Sequence, residues 1–226
     1  MSEVSVLSRM QTQIEHWELA HDPRLIFLQC YQLMTANMLT AIQQAKFEDG
    51  PWVDRLLHRF ADYYFVALDT YEQQPSTAPP VWTLTHERTL QARILPVQML
   101  LLGVNAHINY DLVLTLVELL QPEWETLPAH QRQGRYRDHC LVNIIIANSI
   151  DAVQDQVLEP AMPGLDLLDR WLGGIDERLI SGLIRRWRES VWQNAQAMLE
   201  SNHPGSQEQL RKRVEADALR LAEWLS

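Results

Sequence analysis

Residues 94–120 read ILPVQMLLLGVNAHINYDLVLTLVELL, and this stretch decides the fold class. It contains no lysine or arginine and is apolar on nearly every side, which predicts a helix surrounded by protein. Polar residues still interrupt the stretch too often for the centre of a bilayer. We therefore expect a buried helix near residues 97–120, with no membrane as a partner, around which the rest of the chain packs.

The remainder of the chain also shows helical periodicity, because apolar residues recur every three or four positions and no long run alternates apolar with polar residues. Proline and glycine mark the ends of the segments, most clearly in the loop of residues 73–80. The predicted helices cover residues 4–20, 24–45, 52–72, 85–94, 97–120, 136–158, 165–171, 176–201 and 206–225. The sequence therefore predicts an all-α fold, a single domain over residues 1–226 built as a bundle of about seven to nine helices.

Composition and charge narrow the range of partners. The formal net charge is −10, and phosphate backbones are bound by clustered lysine and arginine, so we expect no nucleic-acid partner. The one basic run, residues 185–188, is expected to form a solvated helix face. Two cysteines, Cys30 and Cys140, are too few for a disulfide framework and are expected to be buried free thiols. Residues 1–10 lack the pattern of a secretory leader, so the expected location is cytoplasmic.

Four polar side chains stand out within the apolar helix. His107 and Asp111 lie four residues apart and share one face, and Asn105 and Asn109 share another. An unpaired buried polar group costs about 1–3 kcal/mol, so each of the four needs a partner. Two explanations fit them: a site for chemistry, or a hydrogen-bond network that fixes the packing of the helices.

The residue types of the first pair suit catalysis. A histidine oriented by a carboxylate serves as a general acid or base, and the same two side chains are ligands for a divalent metal ion. We therefore take His107 and Asp111 as candidate catalytic residues and as candidate ligands of a divalent metal cofactor. In the alternative, Asp111 only fixes the tautomer of His107 within the packed core.

Polar residues on other predicted helices are candidates to meet this pair. Asn143 precedes three isoleucines on one helix, and Asp62 lies beside the apolar stripe of another. Together with Asn105 and Asn109, these two are candidate substrate-binding residues. The sequence contains no glycine-rich phosphate loop, no Gly-x-Ser-x-Gly elbow and no His-Glu-x-x-His motif, so no familiar catalytic signature narrows the chemistry further.

Four motifs carry a resemblance to a known family. They are FEDxxWV at residues 47–53, FADxYF at 60–65, LGVNAHINxDL at 102–112 and WxxA at 192–195. With these motifs the chain resembles an uncharacterised bacterial all-helical family, catalogued as a domain of unknown function, with a GxNAHINxDL signature. The resemblance implies an all-α fold and implies no activity.

Three functions remain open at this point. The first is a small-molecule site in the helical core with metal-dependent, hydrolase-like chemistry on a largely apolar substrate. The second is a non-catalytic binding or scaffold protein, whose buried polar network only fixes packing. The third is a helical protein that binds a partner through its aromatic-rich C-terminal half. The residue types alone do not decide whether the protein is an enzyme, and they give no oligomeric state.

Overall fold

The computed structural model describes residues 5–161, 177–201 and 203–226. Throughout these ranges the regular structure is helical, with no β-strand, which confirms the predicted all-α class. The nine helices described there are α1 (Val6–Ala20), α2 (Leu25–Gln43), α3 (Gly50–Gln73), α4 (Pro80–Thr89), α5 (Pro96–Leu120), α6 (Ala129–Ala147), α7 (150–161), α8 (Glu177–Leu199) and α9 (Pro204–Leu225). The predicted short helix at 165–171 lies outside the described residues.

Helix starts follow the capping residues of the sequence. The Asp49 carboxylate accepts a hydrogen bond from the Trp52 N–H at 2.9 Å and so caps α3. Prolines occupy the first turn of α4, α5 and α9, where a missing N–H breaks no helical hydrogen bond. Pro96 therefore separates α5 from the preceding segment, as predicted, by starting the helix.

Two predicted boundaries are wrong. α4 occupies residues 80–89 instead of 85–94, because Pro80 starts a helix inside the segment assigned to a loop. The single helix predicted at 136–158 is divided into α6 and α7, and α6 begins earlier, at Ala129. Ser149 lies in the break, where its hydroxyl donates to the Ile145 carbonyl at 2.7 Å and competes with the helical pattern.

α5 is the centre of the fold, as predicted. It contacts α2, α3, α4, α8 and α9, and most of its side chains are buried. Phe27 of α2 packs directly on Gly103, where an added Cβ would lie only 2.4 Å from the phenyl ring. A glycine is required at this position because no other residue leaves room for the ring. The contact brings the aromatic side chains of α2 beside the next turn of α5.

Within the described residues, α2 and α5 are long and apolar enough to span a bilayer on those two criteria alone. In α5, 72% of the most apolar window is buried inside the protein. Core helices of soluble proteins share these properties, so length and composition identify no membrane partner.

Candidate functional site

A π-helical segment of α5 carries the candidate catalytic pair. The helix widens over Ala106–Asp111, where the Leu112 N–H donates to the His107 carbonyl five residues back. Such segments are rare inside α-helices and are frequent at functional sites. This turn of α5 is therefore a candidate location for a functional site.

His107 and Asp111 are in direct contact, as their spacing predicts. Nδ1 of His107 lies 2.9 Å from Oδ2 of Asp111, and the two residues are only 3% and 1% exposed. Trp82 of α4 donates its indole N–H to both carboxylate oxygens, at 3.1 and 3.0 Å. Asp111 therefore holds the imidazole in one orientation, and Trp82 holds the carboxylate.

Burial sets the protonation of this pair. It raises the pKa of Asp111 well above its usual value and lowers the pKa of His107 well below its own, because each charged form loses its hydration. The hydrogen bond from Trp82 opposes the rise for Asp111. We therefore expect the pair to share one proton and carry no net charge at neutral pH. Whether that proton sits on Oδ2 or on Nδ1, Nε2 of His107 then carries a hydrogen.

Nε2, the free ring nitrogen of His107, belongs to a side chain that lines a cavity. This atom is buried and has no hydrogen-bond partner among the described residues. His107 lines a space of about 130 Å³ between α2, α3, α5, α6 and α8, which we call the core cavity. The lining is mostly apolar and includes Met34, Leu56, Leu57, Ile108, Val142 and Ile145.

Two aromatic rings restrict His107. Phe60 of α3 stacks on the imidazole, with ring centroids 3.5 Å apart and ring planes 9° from parallel. Tyr31 of α2 approaches with its ring steeply inclined, at a centroid distance of 4.4 Å. These contacts, together with Asp111, leave the imidazole one orientation. The orientation of the His107 ring, which lines the core cavity, is therefore set before any ligand arrives.

Comparison with known proteins places the chain in a family. From residue 4 to residue 226, the chain matches the family described as "Family of unknown function (DUF5995)". The chain belongs to this family. The match confirms the expectation of a family of unknown function, and it covers almost the whole chain. No curated protein and no solved structure matches, so membership of DUF5995 brings no activity with it.

The core cavity of this DUF5995 chain is also lined by a buried charged group, Arg188, that the sequence interpretation placed wrongly. Arg188 was expected on a solvated helix face, yet it is 5% exposed and lines the cavity. Its Nε donates to Asn143 Oδ1 at 2.8 Å, and its Nη2 donates to the His139 carbonyl at 2.8 Å. A signal was available, because apolar residues share its face of α8 at helical spacing: Ile184, Val191, Trp192 and Ala195.

The candidate substrate-binding residues fall in three different places. Asn143 is half-buried and reaches the cavity lining through its bond to Arg188. Asp62 is exposed, and its carboxylate lies 3.8 Å from Arg9 and 3.7 Å from Arg59 in a surface groove. The structure therefore does not bring Asp62 to the His107–Asp111 pair.

Asn105 and Asn109 form the third group. Asn109 donates to Asn105 Oδ1 at 3.0 Å, and Asn105 in turn donates to the Ala218 carbonyl of α9 at 2.9 Å. Neither asparagine is among the described residues that line the core cavity. Their observed contacts join α5 to α9.

The donor set at the pair does not fit a divalent metal ion. Across residues 5–161, 177–201 and 203–226, no three His, Cys, Asp or Glu side chains are grouped to hold one. Nδ1 of His107 and the Asp111 carboxylate already bond to each other, and Trp82 occupies the same oxygens. Nε2 is the single ring nitrogen left, whereas protein metal sites use three or more ligands. The metal cofactor suggested by the residue types therefore has no support in this geometry.

The two cysteines are free thiols, as expected. Cys30 is buried and lines the core cavity, and burial raises its pKa to about 12, so it is a neutral thiol there. Cys140 is only half-buried, which corrects the expectation that both would be buried.

Proposed function

We propose that this protein binds a small, largely apolar molecule in the core cavity and that His107 contacts the molecule through Nε2. One observation carries the proposal: a buried, oriented histidine lines an otherwise mostly apolar cavity, and its Nε2 has no described hydrogen-bond partner. Cavities that combine an apolar lining with a few placed polar groups are the usual form of small-molecule sites.

The energetic argument supports a ligand over a packing role for His107. An unsatisfied buried polar atom costs about 1–3 kcal/mol, and an apolar ring of similar shape in its place would avoid that cost. Phe60 already stacks on the imidazole, so the surroundings accept an aromatic ring. A histidine at this place is best explained by a ligand that hydrogen-bonds to Nε2.

For the reaction, we propose proton transfer by His107, with Asp111 as the residue that orients it. In the net-neutral pair Nε2 is a hydrogen-bond donor and a general acid, and after loss of the shared proton it becomes a general base. Hydrolysis of a largely apolar substrate is the reaction class that we favour. It requires no metal in this form. A cytoplasmic location remains part of the proposal.

The second candidate is a non-catalytic protein whose polar network fixes packing. The Asn105–Asn109 contact favours it, because both side chains serve the junction of α5 with α9. The Thr115 hydroxyl, which donates to the Asp111 carbonyl at 2.7 Å, serves α5 in the same way.

Benzene is a suitable probe for the cavity, since apolar cavities on the order of 150 Å³ accept it. We expect benzene to raise the melting temperature of the wild-type protein and to shift the side-chain ¹⁵N signals of His107. Val53→Leu, which adds a methylene to the lining, should weaken both effects. A folded wild-type protein that shows neither effect would contradict the proposal.

The reaction needs its own test. We expect slow hydrolysis of ethyl butyrate, whose six carbon atoms suit the size of the cavity, by the wild-type protein and a loss of about 100-fold or more in His107→Gln. The exposed His58 supplies the matched control, His58→Gln, which should keep the wild-type rate. Equal rates in the wild-type and His107→Gln proteins would favour the non-catalytic candidate.

A further inference from the structure

Arg188 brings a positive charge to the wall of the core cavity. It is one of two buried arginines in the described part of the chain, and the other is Arg135. Arg135 lies in an ion pair with Asp49 and within 3.5 Å of Glu123. Arg188 has no such carboxylate partner within the described ranges, so its charge is not balanced by the residues seen around it.

The groups bonded to Arg188 are neutral. Nε and Nη2 donate to Asn143 Oδ1 and to the His139 carbonyl. The His139 ring is close as well, with Nδ1 at 3.3 Å from Nη2 and Nε2 at 2.9 Å from the Arg188 carbonyl. Since arginine only donates, Nδ1 accepts and Nε2 carries the hydrogen. Burial and the adjacent guanidinium lower the pKa of His139, which keeps the ring uncharged.

The third guanidinium nitrogen of Arg188, Nη1, is not used in these hydrogen bonds. Nη1 makes no hydrogen bond to any residue that the structure describes. Burial lowers the pKa of Arg188 to about 10, so the side chain remains charged at neutral pH. No carboxylate occurs among the described residues that line the cavity. His107, the other residue of the lining with an ionisable nitrogen, adds no charge in the net-neutral state of its pair with Asp111. The cavity therefore presents donors and a net positive charge to its contents.

We propose that the natural ligand of the core cavity is a small carboxylic acid with an apolar body, bound as the anion, with its carboxylate on Arg188. This inference rests on the proposed function, because it names the class of molecule that the same cavity takes. The carboxylate receives hydrogen bonds from the guanidinium and balances its charge. The apolar body fills the space lined by the aliphatic side chains and reaches His107.

Size and charge define the class further. A cavity of about 130 Å³ is close to one that holds benzene, so the apolar body has about six carbon atoms. A single guanidinium balances one negative charge. A phosphate monoester carries nearly two charges at neutral pH and would leave one unbalanced in an apolar site, so a carboxylate fits better.

The test compares hexanoate with hexanamide, which has nearly the same shape and no charge. We expect hexanoate to bind the wild-type protein at least about ten-fold more tightly than hexanamide, measured by calorimetry at pH 7. Arg188→Met should lose this preference and still bind benzene. Arg186→Met, at an exposed position of the same helix, is the matched control and should keep it.

The acid–amide comparison on the wild-type protein stays decisive even when Arg188→Met does not fold. Equal affinity for hexanoate and hexanamide would overturn the inference, as would tighter binding of hexyl phosphate than of hexanoate. A preference for the acid that survives in a folded Arg188→Met protein would also overturn it. Benzene binding without hexanoate binding removes this inference alone, whereas loss of both removes the proposed function.

Discussion

Nδ1 of His107 lies 2.9 Å from Oδ2 of Asp111, at a point where both side chains are almost completely buried. The other donor to this carboxylate is the neutral indole of Trp82. No permanent cation is bonded to Asp111 among the described residues, so the charge of the carboxylate is best removed by a shared proton. This relationship determines what Nε2 offers to a ligand.

Substitutions of Asp111 test the shared proton. Asp111→Asn should change the free energy of unfolding by no more than about 1 kcal/mol, whereas Asp111→Ala should lower it by about 2–4 kcal/mol. An asparagine oxygen still accepts from Trp82, and its NH₂ group donates to Nδ1 of His107, as the protonated acid does. Alanine leaves both neighbours unpaired. Urea unfolding followed by circular dichroism measures the difference.

The exposed Asp62 provides the control, since Asp62→Asn should leave stability nearly unchanged. An Asp111→Asn protein as unstable as Asp111→Ala would show that Asp111 is held as a carboxylate instead.

Stability should fall as the pH drops below 6.5. Burial lowers the pKa of His86 from 6.5 to about 3, and it lowers the pKa of His139 as well. Below pH 6.5 the unfolded chain binds protons that these folded histidines do not accept. Each should therefore cost about 1.4 kcal/mol of stability per pH unit until its folded pKa is reached. Urea midpoints measured between pH 7 and pH 5 give the slope.

The His107–Asp111 pair should not add to this slope. Between the unfolded pKa values of 3.8 and 6.5, the unfolded pair holds its proton on histidine and the folded pair holds one shared proton. The numbers of bound protons in the folded and unfolded pairs are then equal.

His86→Phe tests the contribution of His86 and keeps an aromatic ring beside Trp82 and Tyr71. The substitution should remove the His86 part of the pH slope and leave the His139 part. An unchanged slope would count against a buried neutral His86.

The sequence was sufficient for the elements that depend on local pattern. A helix that is apolar on nearly every side has to be surrounded by protein, and α5 is. The i and i+4 spacing places His107 against Asp111 and Asn105 against Asn109, and both contacts form. These predictions succeeded because helix geometry alone fixes which side chains meet.

Contacts between segments that are far apart in the sequence could not be predicted from helix geometry. Trp82 meets Asp111 from 29 residues away, and Arg188 meets Asn143 from 45 residues away. Nothing local in either segment specifies its partner. The π-helical segment was missed for another reason, because the switch from i+4 to i+5 bonding depends on packing around α5 and leaves the apolar pattern intact. The sequence could not show that Asp62 lies apart from the His107–Asp111 pair, because a position beside an apolar stripe does not say which way the stripe faces.

Gly103→Ala should destabilise the fold and weaken ligand binding together. Its Cβ would lie 2.4 Å from Phe27 ring atoms and 2.8 Å from the Phe27 Cβ, so α2 and α5 must separate. We expect a loss of about 1–3 kcal/mol in the free energy of unfolding. Phe27 also lines the core cavity, so benzene affinity should fall. Gly182→Ala in α8 is the control; no described residue lies within 4 Å of the position of its Cβ, and it should gain about 0.5–1 kcal/mol. A Gly103→Ala protein as stable as wild type would contradict the close packing.

Asn105→Ala tests whether the Asn105–Asn109 contacts serve the packing of α5 on α9 and not ligand binding in the core cavity. Asn105 is fully buried between Asn109 and the Ala218 carbonyl, so its loss should lower the free energy of unfolding by about 1–3 kcal/mol. Asn109→Ala should cost less, because Asn109 is half-buried and water replaces part of its hydrogen bonding. In both variants benzene should still bind and shift the His107 signals, since neither asparagine lines the core cavity. If Asn105→Ala instead kept its stability and lost benzene binding, the residue would belong to the ligand site, and the division of α5 into a site face and a packing face would be wrong.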